Sequence, residues 1–100
     1  MVRLNCGLVN HRATVLAKVE SLNPGGSIKD RICLSMVEIA EKTGKLRAGD
    51  TIVEPTAGNT GIGLSIVALA KGYRIVLCMP ENVSQEKYSL LSAFGAEIIL

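Results

Sequence analysis

Short apolar runs alternate with longer stretches of helical periodicity along the chain, which predicts strands that alternate with helices. Apolar or β-branched runs predict five strands, at residues 2–4, 14–20, 51–54, 74–79 and 97–100. Apolar positions at helical spacing predict three helices, at residues 27–43, 59–71 and 84–94, and the middle helix is apolar on nearly all sides. Residues 6–12 are expected to form a loop.

The ends of the predicted helices carry specific signals. Ser27 is a natural N-cap, and Asp30 follows three residues later, as in a capping box. Gly44, Gly72 and Gly95 follow the three helices and can adopt the left-handed conformation that ends a helix. The sequence therefore predicts both ends of the first helix and the carboxyl ends of the other two.

The predicted order is β, β, α, β, α, β, α, β. Strands joined through helices imply right-handed crossovers and a mostly parallel sheet. We therefore expect an α/β fold of three layers, with helices on both faces of the sheet, in a single domain over residues 1–100. Because the pattern stops on a strand, we expect the chain to be a piece of a longer protein.

Composition and charge exclude several classes of protein. The hydrophobic content of 48% excludes a disordered chain, and a net charge of +2 without basic runs gives no footprint for nucleic acid. The longest uncharged stretch has an apolar part of about ten residues, which is too short for a membrane span of about 20. Cys6, Cys33 and Cys78 are too widely spaced for a disulfide framework or a metal site, so we predict reduced thiols and a cytoplasmic location. His11 is expected to be exposed.

The first candidate site is the segment Asn-Pro-Gly-Gly-Ser-Ile-Lys-Asp-Arg at residues 23–31. Its glycine pair favours a tight turn, and Lys29 follows in the first helical turn. The positive end of the helix dipole disfavours a cation at this position, and Schiff-base chemistry requires a neutral amine. Lys29 is therefore a candidate nucleophile. The alternative is a solvated surface lysine paired with Asp30 or Glu54.

The second candidate site is Glu-Pro-Thr-Ala-Gly-Asn-Thr-Gly-Ile-Gly at residues 54–63, between a predicted strand and a predicted helix. Open α/β sheets bind ligands at such places, and the free N–H groups of a helix start attract a carboxylate or phosphate. Thr56 and Thr60 add hydroxyl groups, and Asn59 adds an amide donor. The order of the glycines argues against a dinucleotide site or a P-loop, which leaves a nucleotide-binding domain as a weak alternative. A glycine-rich turn without a ligand is another alternative.

Together the two segments resemble the fold-type II pyridoxal-phosphate enzymes, and within them the cysteine synthase/cystathionine β-synthase family. The resemblance extends over essentially the whole chain, including residues 45–54, 79–81 and 94–97. It implies the tryptophan synthase β-like fold and pyridoxal 5′-phosphate as cofactor. It also implies a β-replacement that makes L-cysteine from O-acetylserine and sulfide, and a homodimer for the full-length form.

The resemblance assigns roles to individual residues. Lys29 matches the lysine that forms a Schiff base with the cofactor and removes the substrate α-proton. Asn59 matches the asparagine that hydrogen-bonds the 3′-oxygen of the cofactor. The loop that grips the substrate carboxylate is matched by Thr56, Ala57, Gly58 and Thr60.

Two departures from the family pattern modify these expectations. Ala57 stands where the family loop usually has serine, so we predict weaker substrate binding rather than loss of the cofactor. Family members are much longer, and the loop that holds the cofactor phosphate would lie beyond Leu100. We therefore expect the chain alone to be inactive or to bind the cofactor weakly. A cystathionine β-synthase-like enzyme and a noncatalytic interaction module are the alternative functions.

Overall fold

The computed structural model of the chain describes residues 1–5 and 13–100. Its strands are β1 (Val2–Arg3), β2 (Leu16–Ala17), β3 (Thr51–Pro55), β4 (Arg74–Cys78) and β5 (Glu97–Ile99). Its α-helices are α1 (Lys29–Lys42), α2 (Asn59–Lys71) and α3 (Gln85–Ala93), and a short 3-10 helix spans Glu20–Leu22. The structure confirms the predicted order of strands and α-helices. The predicted loop at residues 6–12, with Cys6 and His11, lies outside the described residues.

Strands β3, β4 and β5 form a parallel sheet in that order, and β1 and β2 form a separate antiparallel pair. β3 pairs with β4 over its whole length, from Thr51 opposite Arg74 to Pro55 opposite Cys78. The chain crosses from β3 to β4 through α2 and from β4 to β5 through α3. The predicted α/β fold with a mostly parallel sheet is therefore confirmed.

The hydrophobic core lies on one face of the parallel sheet. Ile75 and Leu77 of the central strand β4 point to this face and are 4% and 0% exposed. Leu64 and Val67 of α2 belong to the same buried cluster. Burial of these aliphatic side chains, each contributing about 1.5–3 kcal/mol, is the main force that holds α2 on the sheet.

The opposite face of the sheet is exposed. Successive side chains of a strand point to opposite faces, and Val53 and Ile99 on this second face are 60% and 51% exposed. Within the described ranges, the prediction of helices on both faces is therefore met on one face only. The reason is geometric, because right-handed crossovers between strands that are adjacent in chain order put α2 and α3 on the same side.

The start of α1 combines one predicted contact with one that differs from the prediction. The hydroxyl oxygen of Ser27 accepts a hydrogen bond from the N–H of Lys29 at 3.1 Å, but the N-cap residue of α1 is Ile28, one position later than predicted. Asp30 does not complete a capping box with Ser27. Its Oδ2 atom instead accepts a hydrogen bond from the N–H of Gly25 at 2.6 Å. The turn that precedes α1 is thereby held against the first turn of the helix.

The predicted strand at residues 14–20 is wrong in its second half. Only Leu16–Ala17 pairs as a strand, and Glu20 begins the short 3-10 helix. The Glu20 carboxylate accepts hydrogen bonds from Nε of Arg31 at 2.8 Å and from the side-chain amide of Asn23 at 2.5 Å. The bond to Arg31 ties Glu20 to α1, and this tertiary contact overrides the β-branched pattern of the segment.

The predicted carboxyl ends of the three helices are confirmed. Gly44, Gly72 and Gly95 all have positive φ angles, between 70° and 82°. At Gly72 the left-handed residue ends α2 directly, and its N–H donates to the carbonyl of Ala68. Nearly half of α2 is buried, as its all-round apolar pattern predicts.

Candidate active site

Lys29 is the first residue of α1 and is half-buried. Its backbone lies against Gly63 of α2, where an added Cβ atom would come within 3.2 Å of the carbonyl carbon and oxygen of Lys29. None of the ion pairs between residues in the ranges 1–5 and 13–100 includes Lys29. Pairing of this lysine with Asp30 or Glu54, the alternative interpretation, is therefore not observed in this part of the chain.

Residues 56–60 connect β3 to α2 and shape the start of the helix. Oγ1 of Thr56 accepts a hydrogen bond from the N–H of Gly58 at 3.2 Å. The carbonyl of Gly58 accepts one from the N–H of Gly61 at 3.0 Å. Gly58 is the N-cap residue, and no side chain caps the helix. The N–H groups of Gly58 and Gly61 are thus occupied, whereas those of Asn59 and Thr60 have no hydrogen-bond partner among the described residues. These two groups are available to an anion, which the helix dipole also favours.

The remaining residues of this loop differ in their surroundings. Asn59 is exposed, while Thr60 and Ala57 are half-buried. The methyl group of Ala57 packs against the hydrophobic core. The loop therefore combines one apolar anchor with amide and hydroxyl groups at the carboxyl end of β3, where ligands of open α/β sheets bind.

The first two turns of α1 are in close contact with the first two turns of α2. The Cys33 thiol donates a hydrogen bond to the carbonyl of Thr60 at 3.4 Å, and Cys33 is 0% exposed. One turn along α2, a Cβ atom on Gly63 would lie 2.9 Å from Sγ of Cys33. The helices can approach this closely only because Gly63 has no side chain. The helix that begins with Lys29 thus packs on the helix that follows the loop.

The electrostatic surroundings of Cys33 suit a structural thiol. Burial raises the pKa of this thiol, and the nearby carboxylates of Asp30 and Glu54 raise it further. A protonated thiol can donate to Thr60 but is a poor nucleophile. Cys33 and Cys78 are both unpaired, as predicted; Cys33 is buried and Cys78 is half-buried.

Two apolar cavities lie on the helical side of the chain, and neither is lined by Lys29 or by the loop at residues 56–60. A cavity of about 210 Å³ lies between α1, α2 and β3, and one of about 430 Å³ lies along α1 and α2. Asp30 borders the larger cavity, and its Oδ1 atom is buried without a hydrogen-bond partner among the described residues. The candidate site is therefore an open surface at two helix starts.

Two further features bear on the class of protein. Within the described ranges, no helix is long and apolar enough to cross a membrane. The same residues contain no group of three histidine, cysteine or acidic side chains that could hold a metal ion.

Comparison with known proteins identifies the family. The profile of the pyridoxal-phosphate dependent enzymes matches residues 1–100. The chain therefore belongs to the pyridoxal-phosphate dependent enzyme family.

Individual relatives refine this assignment. A cysteine synthase of Staphylococcus aureus is 56% identical over 100 residues, which are 100% of this chain and 32% of that protein. The cystathionine beta-synthase of Mus musculus is 54% identical over 99% of this chain and 18% of its own length. A crystal structure of O-ureido-L-serine synthase superposes with a TM-score of 0.85 at 49% identity, over 99% of this chain and 31% of that one. The chain thus spans about a third or less of the length of these relatives.

Proposed function

We propose that the chain supplies the lysine and the carboxylate-binding loop of a pyridoxal-phosphate-dependent enzyme that makes L-cysteine from O-acetylserine and sulfide. The observation that carries this proposal is the contact between the first two turns of α1 and the first two turns of α2. It packs the helix that begins with Lys29 against the helix that follows the loop at residues 56–60. The 56% identity to a cysteine synthase supports this choice of substrate and product.

The residues present fit this cofactor by their chemistry. Lys29 carries a primary amine that can bond covalently to an aldehyde. The backbone of Lys29 is packed against Gly63, which fixes the position of the Cα atom that carries this side chain. The exposed amide of Asn59 can donate a hydrogen bond to a ring oxygen. The uncapped start of α2 suits the carboxylate of an amino acid.

Each of these residues has a distinct role in the proposed reaction. When bound, pyridoxal phosphate supplies an electron sink that stabilises negative charge at the substrate α-carbon. Lys29 would hold the cofactor until the amine of the substrate displaces it, and its released amine would then accept the α-proton of the bound substrate. Thr56, Gly58 and Thr60 bind the substrate carboxylate and fix its orientation. Asn59 holds the ring of the cofactor.

Ala57 is expected to weaken the binding of the substrate carboxylate. A serine hydroxyl at this half-buried position would add one hydrogen bond, worth about 1 kcal/mol or roughly a fivefold gain in affinity. The measurement is a titration of Ala57→Ser and the parent chain with O-acetylserine, followed by the amide resonances of residues 58–60. Equal affinities in the two proteins would contradict this role for position 57.

An absorbance titration with pyridoxal phosphate tests the proposed function. We expect the parent chain to give the band of a lysine-bound cofactor and Lys29→Ala to lose it. Lys42→Ala is the matched control, because Lys42 is an exposed lysine at the other end of the same helix. If Lys29→Ala retains the band, or if Lys42→Ala loses it equally, the assigned lysine is wrong.

A cystathionine β-synthase-like reaction is the second candidate function. The 54% identity to the mouse cystathionine beta-synthase supports it, although that match covers only 18% of the mouse protein. The two functions share the same roles for Lys29 and the loop and differ in the nucleophile. A comparison of sulfide with homocysteine as the second substrate separates them.

The assembly and location of the protein are further parts of this proposal. We expect the full-length form to be a homodimer in the cytoplasm. The exposed apolar residues Val53 and Ile99 on the second face of the sheet support association with further protein surface. Sedimentation of the full-length form tests the dimer.

A further inference from the structure

A glycine in the middle of a helix needs a physical explanation. Glycine inside a helix costs about 1 kcal/mol relative to alanine, and Gly63 lies in the second turn of α2. Its surroundings explain why glycine stands here despite this cost. A Cβ atom would lie 2.9 Å from Sγ of Cys33 and 3.2 Å from the carbonyl carbon and oxygen of Lys29. The absence of a side chain at this position therefore allows α1 to rest directly on α2.

The groups that touch Gly63 are the ones that position the candidate site. Lys29 contacts it through the backbone, so any displacement at Gly63 moves the Cα atom from which the lysine side chain extends. Cys33 lies one helical turn after Lys29, and its thiol donates a hydrogen bond to the carbonyl oxygen of Thr60 at 3.4 Å. Thr60 closes the loop at residues 56–60. One contact area thus joins the backbone of the lysine to the loop.

We propose that Gly63 is a positioning residue that sets the place of Lys29 relative to the loop at residues 56–60, with the Cys33 thiol as the second side of the contact. This inference rests on the proposed function, because the position of the Lys29 side chain affects a reaction only if Lys29 reacts with an aldehyde. Reacting groups must be held close to the productive geometry, and an error of about 1 Å can reduce a rate by about a hundredfold. A methyl group at Gly63 creates a displacement of this kind.

The test compares Gly63→Ala, Cys33→Ala and the double variant with the parent chain in two labelling experiments. In the first, each protein is incubated with pyridoxal phosphate and reduced with borohydride, and the label at Lys29 is measured by peptide mass. In the second, dilute formaldehyde and cyanoborohydride methylate the lysines without any cofactor. The methylation of Lys29 is expressed relative to Lys42, an exposed lysine of the same helix.

We expect Gly63→Ala to reduce the pyridoxal-phosphate label at Lys29 by about tenfold. It should raise the methylation ratio, because the half-buried Lys29 becomes more exposed when α1 moves away. The double variant should recover much of the parent behaviour, because removal of Sγ of Cys33 makes room for the new methyl group. Val67→Ala is the stability control, because Val67 is a buried core residue of α2 that lies one turn beyond Gly63.

The outcomes separate this inference from the proposed function. An unchanged methylation ratio in Gly63→Ala overturns the positioning role, and so does an equal change in Val67→Ala at matched stability. If the parent chain takes no more pyridoxal-phosphate label at Lys29 than at Lys42, the role of Lys29 in the proposed function fails. The methylation ratio then still decides whether the contact at Gly63 places the lysine.

Discussion

The contact between α1 and α2 predicts an unusual response to the substitution Gly63→Ala. In an unobstructed helix interior this change would stabilise the chain by about 1 kcal/mol, because alanine is the better helix former. Here the added methyl group meets Sγ of Cys33 at 2.9 Å and the Lys29 carbonyl group at 3.2 Å. Overpacking of this kind costs about 1–3 kcal/mol. The two terms together predict a change between neutral and a loss of about 2 kcal/mol.

The sign depends on Cys33, so a double-mutant cycle isolates the contact. Cys33→Ala alone removes the thiol that donates to Thr60 and should cost about 1 kcal/mol. In this background, Sγ no longer obstructs position 63, and only the Lys29 backbone at 3.2 Å still presses on the new methyl group. Gly63→Ala should therefore be less destabilising, or even stabilising, in the Cys33→Ala chain. We expect a coupling energy of about 1–2 kcal/mol, within the range for residues in contact.

Urea unfolding followed by far-ultraviolet circular dichroism measures the four stabilities. The slope of the free energy against urea must be the same in all four proteins, because a changed slope would indicate altered compactness rather than altered stability. Additive effects of the two substitutions would refute the contact. A gain of about 1 kcal/mol from Gly63→Ala in the parent chain would refute it as well.

Two further predictions concern contacts at the two ends of α1. The Glu41 carboxylate accepts hydrogen bonds from Lys71 at 2.8 Å and from Tyr73 at 2.9 Å, and these bonds lower its pKa. A lowered pKa contributes stability above the unfolded value of 4.5 that is lost as the pH falls through the folded value. The melting temperature of the parent should therefore exceed that of Glu41→Gln at pH 7, and the difference should shrink in acid; a difference that is constant with pH would contradict the assignment. Asp30→Ala removes the acceptor of the Gly25 N–H and should cost about 1–3 kcal/mol in urea unfolding, with Asp30→Asn losing less.

The sequence predicts the fold well where local and tertiary preferences agree. Gly44, Gly72 and Gly95 follow the predicted helices and adopt the left-handed conformation that was expected of them. The strand predicted at residues 14–20 fails in its second half, because Glu20 bonds to Arg31 eleven residues further along the chain. No local pattern reports such a partner. The exposed second face of the sheet was missed because apolar strands alone do not reveal which face the helices cover.

The residues of the candidate site remain predictions from the sequence, and the geometry around them comes from the structure alone. The two motifs identify Lys29 and the loop at residues 56–60 from residue types and their resemblance to a family. The contact of Cys33 with Thr60, and the role of Gly63 in it, were missed. The available signal was a glycine inside an otherwise apolar helix, which often indicates close approach of another backbone. Which segment approaches the glycine depends on how the helices pack, and the sequence pattern does not predict this packing.

The central claim is that Lys29 is the residue that reacts with pyridoxal phosphate. The most direct measurement is reductive trapping of the cofactor on the parent chain with borohydride, followed by identification of the labelled lysine by peptide mass. The account predicts that the label is concentrated on Lys29, which is half-buried in the contact between α1 and α2. A label spread over the other lysines of the chain, or concentrated on one of them, would contradict it.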